Sequence, residues 1–72
     1  MSKSIECNNP AALRAYLADK ADHTPGPNGQ STFRFANGLV VLVYDTRSVV
    51  IQGKLGTEEQ EKVENVVIAL NA

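Results

Sequence analysis

The chain has 72 residues, 43% of them hydrophobic, with seven basic and eight acidic side chains and a net charge of -1. That length holds a single domain, 1–72, and a domain this small buries only roughly 60% of the surface its unfolded chain exposes, so its core is small and help from a partner subunit is reasonable. Near-neutrality removes a bulk electrostatic case for nucleic acid or membrane binding. The single cysteine, Cys7, removes an intrachain disulfide framework and reads as a bystander before it reads as a reactive thiol.

Residues 1–8 carry no periodicity and no apolar signal core, and read as a flexible leader on a cytoplasmic protein. Asn9-Pro10 then opens a helix: asparagine is a good N-cap, and proline lacks a donor that the first turn leaves unused. Leu13, Tyr16 and Leu17 follow at i, i+3, i+4, a modest apolar stripe running to about Ala21. Asp22 to Ser31 contains two prolines and two glycines within Thr24–Gly29 and reads as a loop, 22–31.

Three strands are expected next. Thr32–Ala36 ends at Asn37-Gly38, a strong hairpin signal because both central residues of a type I′ turn need positive φ. Leu39–Tyr44 is the second strand, Asp45–Ser48 the next turn, and Val49–Gln52 the third, stopped by Gly53. The run Leu39–Tyr44 is far too short to cross a bilayer. Thr57 then opens the last helix with Gln60 three residues on, a capping-box spacing. Glu58, Glu59 and Glu61 sit near the positive end of the helix dipole, and Val63, Val66, Val67 and Leu70 make the apolar stripe. The predicted fold is α+β, in the order α-β-β-β-α: a three-stranded antiparallel meander with two helices on one face.

Two-residue loops at Asn37-Gly38 and Thr46-Arg47 sort the strand residues onto two faces, because side chains alternate and cross-strand partners share a face. One face collects Phe33, Phe35, Val40, Leu42, Tyr44, Val49 and Ile51, and is the expected core. The other collects Thr32, Arg34, Ala36, Leu39, Val41, Val43, Val50, Gln52 and Lys54. Four aliphatic residues on an expected solvent face point to a contact surface with a polar rim. The plainer reading is that strands favour β-branched residues wherever they lie. Arg34, Lys54 and Arg47 make that side lightly cationic. Three phosphate contacts would give roughly a fortyfold loss of affinity over a fourfold rise in salt.

The stretch Asn37–Lys54, with its Gly-apolar-Tyr strand (Gly38–Tyr44) turning into a strand that ends Gln52-Gly53-Lys54 before a Glu-rich helix, resembles the hairpin of TATA-binding-protein-like domains, such as the N-terminal domain of bacterial ribonuclease HIII. The likeness spans residues 33–70. In that family the curved sheet face contacts nucleic acid, which implies a role for Arg34, Val41, Val43, Val50, Gln52 and Lys54. This chain departs from the family in carrying Arg47 where glycine is usual in the second turn. The helix-strand-strand-strand-helix order is also similar to double-stranded-RNA-binding domains. Those place a basic cluster at the start of the last helix, where this chain has Thr57-Glu58-Glu59-Gln60-Glu61.

No catalytic constellation is legible. His23 is the only histidine, one Cys and one His do not make a metal site, and Pro25–Gly29 matches no phosphate-binding loop. Glu58, Glu59 and Glu61 read as dipole partners before they read as acids of a reaction. The sequence therefore predicts a non-enzymatic binding module with no cofactor. Its expected partner is itself, as a dimer, or another protein that it regulates or inhibits by occupancy, through Arg34, Leu39, Val41, Val43, Val50 and Gln52. The alternative is nucleic acid or a nucleotide on the same face, with Arg34, Arg47 and Lys54 on phosphates.

Overall fold

The computed structural model describes residues 2–72, with Asn28 described by its backbone alone. Its elements are β1 (Lys3–Glu6), α1 (Pro10–Ala18), β2 (Asp22–Pro25), a 3-10 turn (Pro27–Gly29), β3 (Ser31–Arg34), β4 (Leu39–Val43), β5 (Ser48–Gly53) and α2 (Glu58–Leu70). The strands form one antiparallel sheet in the order β1-β5-β4-β3-β2. The fold is α+β, and the expected meander is the centre of a five-stranded sheet.

The two added strands are its edges. Lys3–Glu6, expected within a flexible leader whose Met1 lies outside the described residues, pairs with β5. Asp22–Pro25, expected as loop, pairs with β3. Both are four residues long and almost wholly exposed, so neither carries the alternation that marks a half-buried strand. Pro25 is tolerated because an edge strand leaves one row of backbone groups unpaired. Their hydrogen bonds come from the neighbouring strand, which no local pattern reveals.

Both helices start as their sequences dictate. The Asn9 side chain accepts the Ala12 N–H and Pro10 occupies the first turn. Thr57 Oγ1 accepts the Gln60 N–H at 3.2 Å, while Gln60 Oε1 reaches back to the Gly56 N–H at 2.6 Å, one residue before the cap. At its far end α2 stops at Asn71, whose side chain donates to the Glu6 carbonyl at 2.8 Å and accepts the Asn8 N–H at 2.7 Å. These bonds tie the end of α2 to the β1–α1 junction. Lys3 Nζ adds an ion pair to Glu64 at 2.7 Å.

Leu13 and Leu17 of α1, Val63 and Val67 of α2, and Cys7, Phe33, Leu39, Val41, Val43, Val49 and Ile51 form one buried cluster. Both helices therefore cover the same face of the sheet. Cys7 is fully buried with a free thiol and packs as a small hydrophobe.

The composition of the two sheet faces corrects the expectation at β4. The pairing Phe33↔Val41 and Thr32↔Leu42, with Phe35 N–H donating to the Leu39 carbonyl, leaves a three-residue loop, Ala36-Asn37-Gly38. Val43↔Val49, with Tyr44 N–H donating to the Ser48 carbonyl, leaves another, Asp45-Thr46-Arg47. Each ends in a left-handed residue, Gly38 at φ 98 and Arg47 at φ 74, as three-residue hairpins do. One extra loop residue turns a strand over relative to its neighbour. Two such loops in succession turn β4 over and bring β5 back. Leu39, Val41 and Val43 therefore face the helices, while Val40, Leu42 and Tyr44 face out. Phe33, Val49 and Ile51 lie inward as expected, and Phe35 packs against the core, partly buried.

The segment 26–30 is anchored by α1. Arg14 donates through Nη1 to Asp45 Oδ1 at 2.7 Å and through Nη2 to the carbonyls of Gly29 and Val43. Gly29 has φ 77, and a Cβ there would collide with the Asp45 carboxylate, so this junction needs glycine.

Candidate functional site

The candidate site is the sheet face that neither helix covers. Alternation from the observed register gives its composition. Thr32 and Arg34 come from β3, Val40 and Leu42 from β4 with Tyr44 in step beyond them, and Val50 and Gln52 from β5. The edges add Ser4 and Glu6 from β1 and Asp22 and Thr24 from β2. Leu42 lies opposite Val50 on one side and Thr32 on the other, and Val40 lies opposite Gln52 and Arg34. Val40, Leu42, Tyr44 and Val50 are all partly buried. The face thus has an aliphatic centre, an aromatic residue at one end, and polar or charged residues around it.

Of the residues expected to bind a partner, Arg34, Val50 and Gln52 share this outer face. Leu39, Val41 and Val43 do not: each is 0% exposed beneath the helices, because the loops are three residues long. Val40, Leu42 and Tyr44 take their places. The position pattern of β4 held no signal for this exchange, and only the loop lengths carried it. Ser4, Glu6, Asp22 and Thr24 were missed with the edge strands that bear them.

The expected phosphate ligands do not converge. Arg47 precedes β5 and Lys54 follows it, a separation of roughly 23 Å at 3.3 Å per strand residue. Arg34 lies directly opposite Asp22 in the β2–β3 ladder, an opposite-charge pairing, and Glu6 stands at the other edge. The outer face is close to neutral, and a phosphate backbone laid over it would meet acids as well as bases.

His23 stacks on Phe33, ring centroids 4.7 Å apart and planes 10° apart, at the β2 edge. Among the described residues no group of three or more His, Cys, Asp or Glu side chains is placed to hold a metal ion. No described helix is long and apolar enough to cross a membrane. The Glu64 carboxyl is held below the usual glutamate range by the hydrogen bond from Lys3, then that from Gln60, against a smaller opposing effect of burial. No protein-family model, curated protein sequence or solved structure matches the chain.

Proposed function

We propose that the chain is a non-enzymatic binding module that docks a protein on its helix-free sheet face, in the simplest case a second copy stacked sheet to sheet. The supporting observation is the aliphatic row Val40, Leu42 and Val50 on a face that neither helix covers. Two twisted sheets pack about 10 Å apart with their apolar side chains interdigitated, and the near-neutral rim of Arg34, Asp22, Gln52 and Glu6 suits another protein better than a polyanion. A five-stranded face with strands of about five residues offers roughly 400 Å² in projection. That is the low end of specific interfaces, so the association is reversible and weak. In the version with a different partner, the chain is a small regulator that acts by occupancy.

Sedimentation velocity across concentrations tests the reading. The wild-type chain is expected to self-associate, and Leu42→Glu to stay monomeric with an unchanged circular dichroism spectrum and urea midpoint. Val41→Glu, one residue earlier, is expected to abolish folding because it buries an unpaired charge. A wild-type chain that remains monomeric at about 1 mM, where an interaction of about -4 kcal/mol would show, ends the second-copy form.

A second reading, nucleic acid on the same face, draws support from the hairpin's likeness to TATA-binding-protein-like domains and from Arg34, Val50 and Gln52 sharing the outer face. Titration of a labelled duplex and of an RNA–DNA hybrid at low and high salt measures it. Absence of binding at low salt removes it.

A further inference from the structure

On the helix side of the molecule, α1, the first two turns of α2 and the β3–β4 loop border a cleft of about 330 Å³. Two aromatic rings lie in its lining, Tyr16 and Phe35, which pack against the core while remaining partly exposed. Its charge comes from Lys20 and Lys62. Lys20 Nζ lies over the Tyr16 ring, 5.1 Å from its centroid, and neither lysine joins an ion pair among the described residues. The acid in the lining, Glu59, accepts a hydrogen bond from Asn37 Nδ2 at 2.7 Å. Asn37 Oδ1 accepts the Leu39 N–H at 3.1 Å, so Asn37 is already committed to holding the loop. The cleft therefore presents two aromatic rings and two ammonium groups against one hydrogen-bonded carboxylate.

We propose that this cleft binds a small molecule that joins a flat aromatic ring to an anionic group. The volume lies at the small end of ligand pockets, roughly 300–1,000 Å³, which suits a metabolite and not a polymer strand. A flat ring stacks or sits edge-on against Tyr16 and Phe35, as aromatic pairs prefer. Lys20 and Lys62 then receive the anion, with Lys20 held in place by its cation–π contact. A neutral aromatic ligand would leave both ammonium groups unanswered, and a simple inorganic anion would leave the rings bare. The ligand chemistry is shared by aromatic carboxylic acids and nucleoside monophosphates.

Titration of 1-naphthoate and of adenosine monophosphate into ¹⁵N-labelled protein, followed by amide chemical shifts, tests the proposal. Saturable shifts centred on Tyr16, Phe35 and Lys62, with a dissociation constant of about 1 mM or tighter, are expected for at least one probe. Response to the nucleotide alone identifies a nucleotide ligand, response to naphthoate alone a non-nucleotide aromatic acid, and each supports the site. The exposed-residue variant Lys20→Gln/Lys62→Gln is expected to bind about tenfold more weakly or worse, the loss of one or more charge-assisted contacts, with its fold intact. Leu42→Glu, on the opposite face, is expected to leave the affinity unchanged. No saturable shift with either probe, shifts centred on Val40, Leu42 and Val50, or an affinity untouched by the double substitution would overturn it.

Discussion

Arg47 holds φ 74, the left-handed region, with no glycine to ease it. An L-residue there costs about 1–2 kcal/mol, and glycine's greater loss of backbone freedom returns about 0.5–1 kcal/mol of any gain. Arg47→Gly is therefore expected to raise stability by up to about 1 kcal/mol, read as an upward shift in urea midpoint with unchanged slope. The same residue held a clue to the fold. A two-residue type I′ turn at Thr46-Arg47 needs positive φ at both positions, a poor demand on a β-branched threonine followed by arginine. The three-residue loop needs it once. At the first hairpin Asn37-Gly38 satisfies either turn type, so nothing in that dipeptide distinguished them.

At the scale of elements, legibility depended on the contrast between a strand's two faces. β3 sets Phe33 against Thr32 and Arg34, and β5 sets Val49 and Ile51 against Val50 and Gln52. Their inward residues were plain from sequence. β4 sets Leu39, Val41 and Val43 against Val40 and Leu42, two wholly aliphatic sets, so hydropathy has no preference and loop length alone decides. The helices were readable from their caps and stripes, and the edge strands were not, because exposure leaves them no pattern. The candidate site is accordingly half legible: the pattern puts Arg34, Val50 and Gln52 on the helix-free face and inverts the residues of the second hairpin strand. Among the contacts between elements, the Lys3–Glu64 pair joins β1 to α2. Glu64 is depressed in the folded chain, so its contribution is present above the unfolded glutamate value, about 4.3, and is lost as pH falls through the folded value. Chemical denaturation at pH 5 and pH 3 is expected to show a smaller acid-side loss for Glu64→Gln than for the wild type. The difference should be within the 0.2–1 kcal/mol typical of about one exposed pair. Equal losses would mean that the pair contributes nothing.

For the whole molecule, 72 residues imply a total stability of roughly 4–11 kcal/mol at the usual yield per residue. That total rests on one thin layer of buried side chains between two helices and one face of the sheet. Leu17 is 0% exposed at its centre, and Leu17→Ala is expected to remove about 2–5 kcal/mol. At about 4–8 °C per kcal/mol for a domain of this size the melting midpoint should then fall by roughly 8 °C or more, and a small drop would mean that the layer closes over the gap. The bonds from Asn71 to Glu6 and Asn8, together with Lys3 against Glu64, bring both extremities to one corner. Eight helical residues at 1.5 Å each span about 12 Å, so a bridge of a few glycines reaches from residue 72 to residue 3. Residues 3 and 72 thus lie within a short span of each other, a geometry suited to grafting the segment between them into a surface loop of an unrelated host without prising that host's strands apart.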